Sequence, residues 1–264
     1  MKPTSLRPPV ELRGRLPVAR TTMHREHRAV VVIPTYNNPE TIEDVARRAR
    51  QHLPVVVVND GSTDPAMEAA LGRLHGVAFV VQRQANGGKG AAVKDGLRWA
   101  HAQGFSHAIQ VDADGQHNLE DIPALLHASR QHPDALVLAR PEYDDSAPAV
   151  RRVARHISIF WVRVATLLDR GTIDDPMCGF RVYPLASTVD VLWPTGDRMD
   201  FDPEIAVRLV WRGLSVVNVP TRVRYMSEEE GGVSHYRAFR DNVLVSIMHA
   251  RLCIVRYLGF WRSM

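Results

Sequence analysis

Five short runs of apolar, β-branched residues recur in the first half of the chain: AVVVIPTYN, PVVVVND, VAFVVQR, HAIQVDAD and DALVLAR. Between them lie helix-like stretches, PETIEDVARRARQH, PAMEAALGRLH, KGAAVKDGLRWAHAQ and LEDIPALLHASRQ. Continuous Val and Ile runs belong to strands covered on both faces, since a strand with one wet face needs only alternation. Such strands joined by helices imply right-handed parallel crossovers. The expected class is therefore α/β, a wound, mostly parallel sheet with helices on both faces. At 264 residues and 45% hydrophobic, the chain can bury a core of that size as one large domain.

In wound sheets ligands collect beyond the carboxyl ends of the strands. The tips here read Pro34, Thr35, Tyr36 and Asn37; Asn59, Asp60 and Gly61; Asn86, Gly87, Gly88 and Lys89; and Asp112, Ala113 and Asp114. An Asp-x-Asp pair at a strand tip places two hard oxygen ligands on one divalent ion, favouring Mg²⁺ or Mn²⁺ over zinc, and Gln116 adds another oxygen. An ordinary Asp-rich turn gives the same letters, and spacing alone leaves both readings open. The run NGGKGAAVKDG has glycines opening a helix, whose backbone amides and dipole can face an anion. Only three lysines accompany thirty arginines in the chain, and two of them, Lys89 and Lys94, fall in this run.

After residue 141 the alternation loosens. Residues 148 to 170 read as an arginine-bearing helix, DDPMCGFRVYP as a turn into a short strand, FDPEIAVRLVWRG as a helix ended by Gly213, and SVVNVPTRVRY as a strand. The net charge of +4 is uneven: residues 1–28 carry seven basic and two acidic residues, residues 235–264 carry five and one, and the remainder carries 21 and 26. No aromatic-interleaved basic motif or zinc-finger spacing accompanies the basic ends, which argues against a nucleic-acid partner. Cys178 and Cys253 cannot build a disulfide framework, and MKPTSLRPPVELRGRLPVAR lacks the apolar core of a secretory signal, so a cytoplasmic location is expected. That proline-rich segment reads as a flexible basic arm over residues 1–28. No apolar stretch reaches the length that spans a bilayer, so any membrane contact would be peripheral. His117 reads as a solvated loop residue, and Trp161, Trp193 and Trp211 as core.

The segments VVIPTYNNPETI, VVVVNDGSTD, NGGKGAAVKDG, VDADGQH and GFRVYP, in this order and spacing, resemble the family 2 glycosyltransferases. The subgroup most similar is that of dolichyl-phosphate mannose synthase and other polyprenyl-phosphate sugar transferases. The resemblance covers roughly residues 29–236. It implies a GT-A type fold and inverting transfer of one sugar from a nucleotide-sugar donor to a lipid or lipid-linked acceptor. By the same resemblance Pro34, Tyr36, Asn37, Asp60, Gly61, Lys89, Gly90, Asp112 and Ala113 fall at the donor, and Asp112, Asp114 and Gln116 at the metal and diphosphate. Two departures stand out. Asn59 occupies a position where many relatives have a second Asp, and the Gln-x-x-Arg-Trp motif of processive synthases is absent, so one sugar per turnover is expected.

The second half is expected to carry the acceptor. A hydroxyl acceptor needs a carboxylate base, for which Asp174, Asp175, Asp202 and Glu204 are candidates, whereas a phosphate acceptor is already anionic and needs only positioning cations. Arg181 is the candidate phosphate clamp, since a guanidinium grips two oxygens at once. The glycines beside Ser234 and His235 read as a mobile lid or an ordinary surface loop. Over residues 237–264, at 100° per residue, Arg237, Arg240, Arg251 and Arg262 fall in a sector of about 60°, with Val243, Ile247, Ile254 and Trp261 towards another side. This amphipathic helix suits either a membrane interface or docking on the domain or in a homodimer. Two other functions share the sheet, a nucleotidyltransferase and a non-catalytic sugar-nucleotide-binding or scaffold subunit. The first loop, PTYNNPET, lacks the glycine-rich Arg and Lys pattern of the former.

Overall fold

The computed structural model describes residues 26–142, 149–169, 171–193, 195–222 and 238–258. The arm up to residue 25 and the Ser234–His235 segment lie outside them.

Seven strands form one sheet: β1 (Ala29–Thr35), β2 (Val55–Asn59), β3 (Phe79–Gln82), β4 (His107–Gln110), β5 (Leu136–Glu142), β6 (Arg181–Pro184) and β7 (Val216–Arg222). Their order is β3-β2-β1-β4-β6-β5-β7. Every pairing is parallel except those of β6, which runs antiparallel to both β4 and β5. The five apolar runs are thus strands of a mostly parallel sheet, as expected. The short strand expected in GFRVYP is β6, four residues long; not expected was its place, between β4 and β5 and antiparallel to both.

The Val and Ile runs are continuous because alternate residues feed two cores. Val30 and Val32 join one cluster, and Val31 and Ile33 join the other. On the first face pack α3 (Lys89–Ala102), α5 (Ala149–Ala165), α6 (Leu185–Thr188), α7 (Phe201–Trp211) and α8 (Ala238–Tyr257); on the second pack α1 (Ile42–Arg50), α2 (Ala66–Gly72) and α4 (Ile122–Gln131). Gly96 brings α3 close to the sheet, since a Cβ there would press on Val32 and Val58. Gly213, at φ +88°, follows α7 in the left-handed conformation that ends helices.

Pro34 lies in central strand β1, where a missing N–H normally breaks a ladder. It is tolerated for a geometric reason. Val31 and Thr35 bond towards β2, and Val32 bonds towards β4 by accepting from Val111, so position 34 also faces the β4 side. Pairing with β4 ends at Val32, so the proline falls beyond the last ladder pair on that side.

The C-terminal helix forms, and of the four arginines expected to share one sector only the Arg251 side chain lies among the described residues, where it is exposed. Val245, Met248 and Leu252 are buried against the domain, Arg251 reaches Glu204, and Arg256 is buried against Asp169 at 2.9 Å. Arg237, Trp261, Arg262 and the Arg240 side chain lie outside the described residues. Trp211 packs at the core edge and donates to the Ala165 carbonyl, whereas Trp193 and Trp161 are exposed, contrary to expectation.

Candidate active site

Strand order reverses beside β1: β2 and β3 lie to one side, β4 to the other. This is a switch point, where a crevice opens beyond the carboxyl ends of neighbouring strands. Thr35 and Tyr36 leave β1 on one side of it, and Val111 to Gln116 leave β4 on the other. The DAD loop is fixed by its own backbone. Asp114 Oδ1 accepts from the Gln116 N–H at 3.0 Å, Gly115 takes φ +75°, and the Ala113 carbonyl accepts from the Thr41 hydroxyl at 2.6 Å. The Ala113 methyl is buried in the core, so it is the carbonyl that ties this loop to the start of α1.

Lys89, the first residue of α3, reaches across the crevice. Its ammonium lies 2.7 and 2.8 Å from the two oxygens of Asp112 and 2.9 Å from Asp202 Oδ2, at the start of α7. Asp202 Oδ1 accepts from the Gln110 amide at 3.0 Å, and Gln110 Oε1 accepts from the Tyr183 hydroxyl at 2.9 Å. His117 is nearly buried, not solvated: its Nε2 stands 3.6 Å from Asp112 Oδ2 and its ring lies against Phe180. Asp112 remains 22% exposed, whereas Asp202 is 5% exposed, so it is Asp112 that a ligand can reach.

Charge in the crevice is unbalanced. Burial alone would raise the Asp112 carboxyl, but Lys89 and then His117 hold it below the carboxylate range. Asp114 is pushed upward, by burial first and then by the negative charge of Asp112. For Lys89, burial would lower the ammonium, and Asp112 and Asp202 hold it raised. Asp114 therefore lacks the cation that Asp112 has. Among the described residues no group of three or more His, Cys, Asp or Glu side chains stands ready to hold a metal. Two adjacent carboxylates, one without a counter-ion, still fit Mg²⁺ or Mn²⁺, which bind through one or two carboxylates and take their remaining ligands from phosphates and water. Gly179 belongs to the same arrangement, since a Cβ there would collide with both Asp112 oxygens.

Several expected site residues serve the framework. The Asp60 carboxylate accepts from the N–H groups of Gly87 (3.0 Å) and Gly88 (2.7 Å) and pairs with Arg83 at 2.8 Å. The glycine amides expected to face a ligand anion thus already face an internal one. Gly90 lets the start of α7 approach α3, because a Cβ would fall 2.5 Å from that of Phe201. Lys94 turns away to the Thr195 carbonyl (2.6 Å) and Asp197 (2.8 Å). Asn37, at φ +52°, links the β1 and β2 tips: its backbone N–H donates to the Ser62 hydroxyl, and its side-chain Oδ1 accepts from the Thr63 and Asp64 N–H groups. Gly61, at φ +63°, leaves no room for a Cβ beside Ala85. Tyr36 is half-buried at the crevice edge.

Arg181 is not a clamp open to ligand. It is fully buried, and its guanidinium donates to the carbonyls of Cys178 (2.9 Å from Nε), Pro176 (3.0 Å) and Asp202 (2.7 Å). The candidate bases are engaged as well. Asp175 Oδ1 accepts from the Met177 and Cys178 N–H groups, and Oδ2 pairs with Arg155 at 3.1 Å. Glu204 is fully buried, bonded to Arg208 (2.7 Å), Arg251 and the Gly196 N–H. Asp174 lies 3.9 Å from Arg140. Sequence reasoning missed Arg140. Leu138 and Gln110 are both paired with Arg181 across β6, so Arg140 and Asp112 stand level, two residues further on. Arg140 is half exposed there. Cys178 is inert, its thiol pushed up to about 12 chiefly by burial.

Comparison with known proteins bears on the family and the fold. The sequence model of glycosyl transferase family 2 matches residues 30–189. The chain is 31% identical over 228 residues to a polyprenol monophosphomannose synthase of Mycolicibacterium smegmatis, covering 81% of this chain and 82% of that protein. It is 27% identical over 216 residues to an undecaprenyl-phosphate mannosyltransferase of Micrococcus luteus, covering 77% and 86%. Among solved structures, glucosyl-3-phosphoglycerate synthase from Mycobacterium tuberculosis, in complex with Mn²⁺, UDP and glucosyl-3-phosphoglycerate, shares the fold. Its TM-score is 0.61 at 18% identity, over 86% of this chain and 80% of that one.

Proposed function

The chain belongs to glycosyl transferase family 2, and from that premise we propose that it transfers one sugar, with inversion, from a nucleotide-sugar donor to a polyprenyl-phosphate acceptor. The observation that carries the acceptor class is the engagement of three of the four candidate bases, Asp175, Asp202 and Glu204, in bonds to the protein itself, while Asp174 only approaches Arg140 at 3.9 Å. A sugar or protein hydroxyl must lose a proton to attack, and Asp175, Asp202 and Glu204 are not free to take it. A phosphate monoester needs no base. Its oxygen attacks the anomeric carbon, the bond to the nucleotide diphosphate breaks, and the diphosphate departs with the electron pair. Arg140, level with Asp112 and half exposed, is the cation positioned to hold such a phosphate.

On the donor side, Asp112 and Asp114 would hold Mg²⁺ or Mn²⁺, which when bound neutralises charge on the leaving diphosphate. Lys89 adds a positive charge at the same place, Tyr36 borders the crevice, and Asp60 keeps the glycine loop in position. The acceptor's hydrocarbon chain calls for a membrane surface, and α5 and α8 offer one. These packed helices and the turn after α5 carry Ile157, Phe160, Trp161, Leu167, Leu168, Val243, Ile247, Ile254, Tyr257 and Leu258, ten of the 13 exposed large apolar side chains of the described residues. Scattered single apolar residues are ordinary, but this concentration on one helix pair is what an interface buries. Among the described residues no helix is long and apolar enough to cross a membrane, so the contact proposed is peripheral.

Asp114→Asn tests the donor half of this reading. It is expected to keep the melting temperature of the wild type and to lose the Mn²⁺-dependent stabilisation by UDP- and GDP-sugars. Undiminished Mn²⁺-dependent stabilisation in that variant would refute the metal assignment.

A further inference from the structure

Lys89 occupies an unusual position for a residue near a divalent-cation site. Its ammonium rests between Asp112 and Asp202, within 2.9 Å of an oxygen of each, and touches both oxygens of Asp112. Asp112 thus already has a cation on both its oxygens. Asp202 is held in turn by the Gln110 amide, and its carbonyl by Arg181, so the lysine's second anchor is rigid. Gly179 closes over Asp112 with no room for a Cβ, which confines the carboxylate on that side.

We propose that Lys89 is a resident cation of the metal site: it occupies the carboxylate that the metal needs, so a free divalent ion binds weakly, and tight binding requires a donor diphosphate to draw the ammonium off Asp112. The inference rests on the assignment of Asp112 and Asp114 as the cation's ligands and goes beyond it, because it sets the order in which ligands accumulate. A second cation placed against a carboxylate already paired meets like-charge repulsion and finds its ligand oxygens occupied. A diphosphate offers Lys89 an alternative anionic partner and at the same time supplies the oxygens that two carboxylates cannot. Metal and donor then favour each other's binding by the same factor, as linkage requires. The crevice would avoid trapping a bare metal ion and would recruit it with the nucleotide sugar.

The test uses Mn²⁺ alone, with free Mn²⁺ followed by electron paramagnetic resonance, on the full chain and its variants. Lys89→Gln is expected to bind Mn²⁺ at least tenfold more tightly than the wild type, which is about 1.4 kcal/mol, and to gain more in melting temperature from added Mn²⁺. Lys89→Arg keeps a cation in place and is expected to stay near the wild-type affinity. Asp202→Asn loosens the lysine without altering Asp112 or Asp114 and is expected to tighten Mn²⁺ binding too, which keeps the test decisive if Lys89→Gln folds poorly. Unchanged or weaker Mn²⁺ affinity in both Lys89→Gln and Asp202→Asn, with binding still abolished by Asp114→Asn, overturns the resident-cation role and leaves the metal site standing. Mn²⁺ binding in Lys89→Gln that survives Asp114→Asn overturns the underlying ligand assignment instead.

Discussion

Arg181→Met separates two accounts of the most buried cation among the described residues. As a phosphate clamp, Arg181 would matter to transfer and little to stability. The structure gives the opposite ranking, because the guanidinium is the donor for three buried carbonyls, those of Cys178, Pro176 and Asp202. Methionine keeps most of the stem's packing and removes every donor. An orphaned buried acceptor costs about 1–3 kcal/mol, giving a gross loss of roughly 3–9 kcal/mol for three. Removing a buried charge returns a few kcal/mol of desolvation, so a net loss of about 2–5 kcal/mol is expected. For a chain of this size that lowers the melting temperature by roughly 5–15 °C. Urea denaturation followed by circular dichroism reads the loss as a lower midpoint. Arg181→Lys should lose nearly as much, since one ammonium cannot reach three carbonyls spread around a planar fork. A midpoint within experimental error of the wild type, with transfer to lipid selectively lost, would refute the structural role and return Arg181 to the acceptor.

Three further outcomes follow from the geometry. Gly179→Ala, whose Cβ would collide with Asp112, is expected to abolish Mn²⁺-dependent nucleotide binding with a smaller effect on stability; calorimetric titration with Mn²⁺ and UDP or GDP checks it, and unchanged binding contradicts the placement of the 176–180 turn. His249, 3% exposed, has its pKa lowered to about 4 by burial, so the unfolded chain binds its proton first and stability falls as pH drops from about 6.5 towards 4. The loss is up to about 3 kcal/mol for this group, His27 and His107 shift in the same direction, and His249→Gln should flatten the slope in denaturation curves taken across that range. The pair Ile247→Glu and Ile254→Glu, both on the exposed face of α8, is expected to lower co-sedimentation with anionic vesicles at least tenfold while leaving Mn²⁺-dependent donor binding unchanged; undiminished sedimentation excludes this face from the membrane contact.

What could be read from the sequence divides along the range of the interactions involved. β1, β2 and β4 were legible because a continuous Val or Ile run has one economical use, a strand buried on both faces, and the position of Asp112 and Asp114 at a strand tip followed from where such a run ends. β6 was not placed in the sheet, since the four residues of RVYP say nothing of which strands they join. Arg181 and Glu204 were misread for a similar reason. A buried charge reveals itself only through partners, and here those are the Asp202 carbonyl and Arg251, distant in the chain and brought near by α7 and α8. Asp60 and the glycines of the NGGKG run were both marked by sequence, yet their contact with each other, which turns an expected ligand site into an internal brace, needed the loop geometry. Arg140 carried no local signal; only the β4–β6–β5 register sets it level with Asp112, on the far side of β6.

The central claim, transfer of a single sugar to an ionised lipid phosphate, is tested most directly by the product. Purified protein with Mn²⁺, a panel of UDP- and GDP-sugars and undecaprenyl or dolichyl phosphate is expected to yield, with at least one donor, a lipid heavier by one sugar residue in mass spectrometry, with inverted anomeric configuration by NMR. The same lipid with a free hydroxyl in place of the phosphate should give none, because Asp175, Asp202 and Glu204 are held in bonds to the protein. Equal transfer to the lipid alcohol or to a soluble hydroxyl acceptor, or products carrying several sugars, would contradict the account.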